Sequence, residues 1–192
     1  MRFTSYTIFM SLHYLRSTPY VSIYFDDADN WLFTEWEGDL TLDRVQLGCL
    51  EIAHCYLYQA YPRILNSNLR VTSVTPDIAG WLASVFMPTL ELAGVKQLGW
   101  VLSPTLCGRN LVLDTMARCS YLGINTFEDV EGAVSWLQHN RPETAPGNGL
   151  VREPRLTAIE NKMRVQLNRI AQQLAETLRN QETGIFALAQ VA

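Results

Sequence analysis

Three small polar residues in succession, Asn66, Ser67 and Asn68, are the best candidates for a functional site in this sequence. They follow a short apolar strand predicted at residues 64–65, and the chain beyond them alternates between helices and strands. In open α/β sheets, ligand and partner sites lie where strands end at their carboxyl edge. We therefore expect these residues to form a loop that contacts a partner. The alternative is that they only turn and cap the chain.

No combination of residues predicts nucleophilic catalysis or a metal centre. A Ser or Cys nucleophile needs a His base that a third group orients, but His54 and Cys55 are neighbours on one predicted helix and point in different directions. The four cysteines form no C-x-x-C pair, and the three histidines are scattered. Nucleotide-binding and hydrolase motifs are also missing from the sequence. We predict a protein that is not an enzyme and that uses no cofactor or metal.

Two groups of side chains have both a functional and a structural interpretation. Asp26, Asp27 and Asp29 could bind a hard cation, but they lack a complete calcium loop, which favours a solvated turn. The five tryptophans could line an apolar ligand pocket, although aromatic residues in strands and helices more often belong to the core. The tryptophans are Trp31, Trp36, Trp81, Trp100 and Trp136.

Composition limits the class of protein. A chain of 192 residues with 48% hydrophobic and 18% charged residues is globular, and its length fits one domain with an appendage. A net charge of −4 argues against general nucleic-acid binding. Cysteines without a disulfide pattern indicate a reducing, cytoplasmic compartment. No apolar run reaches the roughly 18 residues that a membrane span needs. Residues 1–17 are interpreted as a loosely attached extension.

The order of predicted elements defines an α/β domain over residues 18–140. Alternating strands and helices predict a mixed, mostly parallel sheet of about five strands, with an antiparallel hairpin at its N-terminal end. Helices pack against this sheet. The predicted strands are residues 20–25, 31–36, 64–65, 97–103 and 123–127, and the predicted helices are residues 41–61, 75–93, 106–118 and 128–138.

A long amphipathic helix is predicted after the domain. Residues 141–154 have the composition of a linker, residues 155–181 are helical in pattern, and residues 182–192 form a tail. Seven apolar residues recur every three or four positions, in two eleven-residue repeats, so they form one stripe along the helix. The stripe could fold back on the domain or pair with a second copy, and we predict self-association. Its residues are Leu156, Ile159, Met163, Leu167, Ile170, Leu174 and Leu178.

Several segments in this order resemble STAS domains, the fold of anti-sigma-factor antagonists and of sulfate-transporter tails. The resemblance also extends to bacterial STAS-like proteins grouped with lipid-binding CRAL-TRIO domains. It rests on the segments Trp-Leu-Phe-Thr-Glu-Trp-Glu-Gly at 31–38, Arg-Ile-Leu-Asn-Ser-Asn at 63–68 and Gly-Val-Lys-Gln-Leu-Gly-Trp-Val at 94–101, and on Phe127 followed by Ala-Val-Ser-Trp-Leu at 133–137.

This resemblance implies a regulatory module that binds another protein. In antagonist STAS domains a Ser or Thr after an Asp at a strand end is phosphorylated, which would place a switch at Ser67. The family's Asp is missing here, because Asn66 precedes Ser67. The alternative function is a carrier of lipid or of another small apolar ligand. A cavity enclosed by Trp36, Trp81 and Trp100 would favour that alternative.

Overall fold

A six-stranded sheet forms the centre of the molecule. The computed structural model describes residues 11–119, 123–140 and 154–189, with the side chains of the last segment described between Glu160 and Asn180. The strands lie side by side in chain order. They are β1 Leu12–Ser17, β2 Val21–Asp26, β3 Trp31–Leu40, β4 Arg63–Val74, β5 Gln97–Val101 and β6 Gly123–Phe127.

The sheet is mixed, as the sequence predicts. β1, β2 and β3 are antiparallel, whereas β3 to β6 are parallel. The sheet has six strands instead of five because residues 12–17, which were expected to belong to a loose extension, pair with β2. The two central strands are also longer than predicted. β3 continues through Gly38, whose positive φ of 77° fits a glycine at the irregularity beside Asp39.

The helices that connect the parallel strands lie on one face of the sheet. Strands in sequential order require this arrangement, because each crossover has the same hand. These helices are α1 Leu42–Cys55, α2 Ile78–Trp81, α3 Met87–Leu92 and α4 Leu106–Met116. α1 ends seven residues before Pro62, since the backbone changes to three-residue hydrogen bonds at Tyr56, Leu57 and Tyr58.

A π-helical segment, Leu82–Phe86, joins α2 to α3. The N–H of Met87 bonds to the carbonyl of Leu82, five residues back. This wider turn lets the helix pass into α3, where Pro88 has no N–H to donate. Pro88 therefore opens a second helical segment, as predicted.

The opposite face of the sheet carries a single described helix, α5 Val130–His139. Its inner residues pack on Leu65 and Val101 and form a second, smaller core. Arg63, which is buried, fixes the end of α5 because its guanidinium donates to the carbonyl oxygens of Leu137, at 2.8 Å, and of Asp29.

The long C-terminal helix, α6, runs from Pro154 to Ala189 and packs on α1 and α3. Met163 and Leu167 join the larger core, and Ile170 is also fully buried. The indole N–H of Trp81 donates to Gln173 of α6 over 3.0 Å. The sequence left open whether the stripe folds back on the domain or pairs with a second copy. The structure shows that its middle part folds back on its own domain.

No helix in the described segments has the length and apolarity needed to cross a membrane.

The close approach of α1 to the sheet gives a stability prediction. A Cβ at Gly48 would lie 2.5 Å from the Trp36 ring, which is buried and cannot move away. We expect Gly48→Ala to lower the free energy of unfolding by about 1–3 kcal/mol through overpacking. This loss should outweigh the gain of about 1 kcal/mol in helix propensity. Urea denaturation followed by circular dichroism measures the change.

Gly80→Ala is the matched control. A Cβ there would have Arg118 as its nearest neighbour, at 4.0 Å, so only the propensity gain should remain. Equal stability of the two variants would show that α1 does not approach β3 as closely as described.

Candidate functional site

Residues 66–68 do not form the predicted loop. β4 continues through them to Val74. Asn66 and Ser67 pair with strands on both sides, and Asn68 follows them in an irregular part of the pairing with β3. The sequence prediction is wrong here because small polar residues were taken to end the strand, whereas hydrogen bonds from neighbouring strands satisfy them inside it. Alternation along the strand also separates the three residues. Asn66 and Asn68 face the larger core, and Ser67 faces the side that α5 covers.

Ser67 is buried, with 1% of its surface exposed. It lies between Leu65 and Leu69, both of which pack in the smaller core. The backbone N–H of Leu69 is 3.5 Å from its hydroxyl oxygen. In this arrangement a modifying enzyme would reach Ser67 only if β4 left the sheet. Phosphorylation of Ser67 therefore stays a prediction of the STAS resemblance.

Asn66 is the centre of a polar group inside the larger core. Its Oδ1 accepts hydrogen bonds from the Thr34 hydroxyl at 2.8 Å and from the Trp36 indole at 2.9 Å. Its Nδ2 donates to Asn68 Oδ1 at 3.1 Å. The register places Thr34, Asn66 and Trp100 opposite one another on β3, β4 and β5. A row of polar groups therefore crosses three strands within an apolar layer.

A small irregularity in the sheet positions this group. Between the pairs Glu35–Ser67 and Glu37–Arg70, β4 has one residue more than β3, so the strand contains a bulge. Trp36 lies opposite the bulge, where its indole reaches back to Asn66. Bulges re-aim side chains, and here the bulge brings an indole donor to an amide that already accepts from Thr34.

A cavity lies between this polar group and the helices. Its volume is about 40 Å³. The polar side chains lining it are Thr34, Asn66 and Asn68, together with the indoles of Trp36 and Trp100. Its apolar walls come from α1, α2, the π-helical segment, α3, α4 and the sheet, and include Cys49, Ile52, Leu82, Phe86 and Leu98.

The predicted tryptophan pocket is thus found in part. Trp36 and Trp100 line the cavity, but Trp81 does not; it stacks on Phe86 and bonds to α6. Trp31 and Trp136 pack in the smaller core on the other face. Of the candidate residues, Asn66 and Asn68 reach the cavity and Ser67 does not. The sequence did contain a signal for this pairing, because Asn66 and Asn68 are two positions apart and would therefore lie on the same face of a strand.

The acidic residues at the β2–β3 turn serve the fold. Asp26 is fully buried and its Oδ1 accepts from the backbone N–H groups of Ala28 and Asp29. Burial raises the pKa of Asp26. Asp29 accepts from Gln138 at 2.7 Å, and exposed Asp27 pairs with His13 at 2.9 Å. The turn is therefore held to α5 and β1, unlike the open solvated turn that the sequence favoured.

The described part of the chain brings no group of three or more His, Cys, Asp or Glu together in a way that could hold a metal ion. Two of the histidines lie beside carboxylates, His13 at Asp27 and His54 at 3.9 Å from Glu51. His139 bonds to the Ser135 carbonyl one helical turn away. None of these pairs includes a thiol or a hydroxyl that a third side chain orients.

Cys107 is a chemically distinct thiol that sequence reasoning missed. It is exposed in the first turn of α4, where Thr105 caps the helix. The hydrogen bond between its sulfur and the Thr105 hydroxyl, at 3.4 Å, and the backbone N–H of Val74 lower the pKa of Cys107. In contrast, burial raises the pKa of Cys55 to about 11 and also raises those of Cys49 and Cys119.

No family model matches the chain, and no curated protein matches it. The solved structures that are similar to it include the following two. An uncharacterized protein of the DUF3478 family with a SpoIIAA-like fold, from Shewanella loihica PV-4, is 13% identical; the match covers 64% of this chain and 98% of that one, with a TM-score of 0.44. SiaC of Pseudomonas aeruginosa is 15% identical over 62% of this chain and 100% of its own, with a TM-score of 0.38.

Neither likeness assigns a function to this chain.

The Asn66 group gives a prediction about stability. Asn66→Ala leaves the Thr34 hydroxyl and the Trp36 indole without their acceptor, and Asn68 without its donor. We expect the free energy of unfolding to fall by about 2–4 kcal/mol, since buried polar groups are expensive to leave unpaired. Chemical denaturation measures it. Asn110→Ala, on the exposed face of α4, is the control and should change stability by less than about 0.5 kcal/mol.

The four thiols should differ in reactivity. Iodoacetamide near neutral pH should label Cys107 at least about tenfold faster than the other cysteines, because the thiolate reacts and each pKa unit changes its population tenfold. Peptide mapping by mass spectrometry measures each rate. The pH at which Cys107 reaches half of its maximal labelling rate should lie below the ordinary pKa of a cysteine thiol. Thr105→Val should move this midpoint to higher pH. Labelling of Cys119 at the same rate would contradict this order.

Proposed function

We propose that this chain is a non-enzymatic, regulatory protein-interaction module and that α6 carries the contact with a second copy. The observation that supports the proposal is the length of α6 relative to the surface that covers it. The helix has 36 residues, or roughly 54 Å at 1.5 Å per residue. Its buried stripe residues fall between Met163 and Ile170.

The stripe continues beyond the part that the domain covers. Leu174 is half-buried and Leu178, one turn further, is 44% exposed. The helix extends another eleven residues beyond Leu178, to Ala189. The side chains of Leu156 and Ile159 lie outside the described residues. An amphipathic helix whose stripe leaves its own domain needs another apolar surface, and the same stripe on a second copy provides one.

The lipid-carrier form of the alternative receives less support from the geometry. A cavity of about 40 Å³ holds only a few water-sized groups, so it cannot enclose a lipid chain. Trp81, the third expected wall, lies outside it and bonds to α6.

Self-association is best tested with single charges instead of a deletion. Removing α6 would also uncover the core residues that Met163 and Leu167 contact, and so would confuse association with unfolding. Leu178→Glu places a carboxylate on the exposed part of the stripe and leaves the buried part intact. We expect the full chain to sediment as a dimer and Leu178→Glu to raise the dissociation constant of the dimer at least about tenfold. The dimer would bury the Leu178 side chain, and in the variant it would have to bury an unpaired carboxylate instead.

Gln172→Glu is the matched control, because Gln172 is exposed on the side of α6 opposite the stripe. It adds a similar charge and should leave association unchanged. Sedimentation velocity over a range of concentrations measures all three proteins. A wild-type chain that stays monomeric at high concentration, or a Leu178→Glu variant that associates as well as wild type, would overturn the proposed role of α6.

A further inference from the structure

We propose that the cavity beside Asn66 is a binding site for a small neutral molecule that enters with a carbonyl or hydroxyl oxygen directed at Trp100. This site is independent of the interaction surface on α6. Its features are a donor without a hydrogen-bond partner in the described part of the chain, walls without charge, and a defined size.

The donor is the indole N–H of Trp100. Trp100 lines the cavity with 4% of its surface exposed, and its Nε1 has no hydrogen-bond partner among the described residues. Asn66 lies opposite it on β4 but cannot serve, because Asn66 Oδ1 already accepts from Thr34 and Trp36. An indole N–H only donates, so the group that completes it must be an acceptor.

A second polar side chain lines the same cavity. Asn68 is buried and lines the cavity, and its Oδ1 accepts one bond, from Asn66. A carbonyl-type oxygen has two lone pairs, so one further donor can be accepted there. The oxygen of a ketone or of an alcohol can therefore accept a hydrogen bond from the Trp100 indole. The hydroxyl of an alcohol can also donate a hydrogen bond to Asn68.

The walls exclude an ion. No Lys, Arg, His, Asp or Glu lines the cavity. A charged ligand would lose its hydration without gaining a counter-charge, which is costly in an apolar interior. The remaining lining is aliphatic, aromatic and thiol, which fits a short hydrocarbon body. Apolar walls with a few convergent polar groups are typical of small-molecule sites.

The size of the cavity limits the ligand. A cavity volume of about 40 Å³ corresponds to about three water-sized groups. A molecule of about four non-hydrogen atoms, such as acetone, has that size. Affinity for so few atoms is limited, so half-saturation at millimolar concentration is expected. Leu82 and Phe86 of the π-helical segment are among the residues that line the cavity.

The test uses the full chain labelled with ¹⁵N and follows its tryptophan indole resonances during titration with acetone. Trp100→Phe assigns the Trp100 resonance. We expect it to shift saturably toward the hydrogen-bonded range, while the Trp31 resonance does not. Trp31 is a matched reporter, since its indole N–H is also buried and finds no hydrogen-bond partner among the described residues, but lies on the other face of the sheet. 2-Methylpropene, which has the shape of acetone without the oxygen, should bind about tenfold more weakly.

A second variant blocks the cavity without changing Trp100, so the Trp100 indole resonance can still report binding. Cys49→Leu adds volume to a wall residue and leaves all polar groups in place. It should abolish the saturable shift of Trp100 while the protein remains folded, as its other indole resonances will show. A shift that never saturates, equal shifts of Trp31 and Trp100, equal binding of the hydrocarbon, or undiminished binding by Cys49→Leu would each overturn the proposal.

Discussion

The parallel pairing of β3 with β4 is the interaction on which the rest of the structure depends. It runs from Leu32 opposite Ile64 to Leu40 opposite Val74, which is longer than the pairing of β4 with β5. A parallel pair cannot be closed by a tight turn, so α1 must cross the sheet between the two strands. That crossover sets the face on which α2, α3 and α4 then follow. The pairing also places Thr34 beside Asn66.

The polar row inside the larger core is a consequence of this pairing and imposes a constraint of its own. Buried amides and hydroxyls stabilise a fold only when their hydrogen bonds are complete. Asn66 accepts the hydrogen bonds of the Thr34 hydroxyl and the Trp36 indole. It can do so in only one register, because a shift of β4 by one residue would move the Asn66 side chain to the other face of the sheet. Apolar residues at these positions would permit several registers. The network therefore specifies the alignment of the two strands, and Trp100 is the member whose indole N–H finds no acceptor within the segments that the structure describes.

Sequence patterns predicted the parts of the fold that depend on local periodicity. The alternation of strands and helices, the buried strand at β5 and the amphipathic stripe of α6 were all found from spacing. The β1 strand was missed because Leu12–Ser17 shows no alternation of its own and is stabilised by pairing with β2. Residues 66–68 were assigned to a loop because Asn and Ser favour turns when taken alone. Only the neighbouring strands, which supply Thr34 and Trp36 as partners, explain why β4 continues through them.

One helical layer separates the two surfaces that have been assigned a role. Met87 and Leu90 of α3 line the cavity on its inner side, while α6 packs on α3 from outside. α1 is shared in the same way, since Cys49 and Ile52 line the cavity and α6 contacts the helix. A common wall does not by itself couple two sites; coupling requires that the wall have two arrangements, each preferred by one of the bound states. The π-helical segment is the candidate for such a rearrangement, because it is a local departure from α-helical hydrogen bonding of the kind often found at functional sites. If the π-helical segment rearranges, the binding of the ligand and the formation of the proposed dimer are thermodynamically linked, and each changes the equilibrium constant of the other by the same factor. Acetone would then alter the dissociation constant of the dimer as much as dimerisation alters the affinity for acetone.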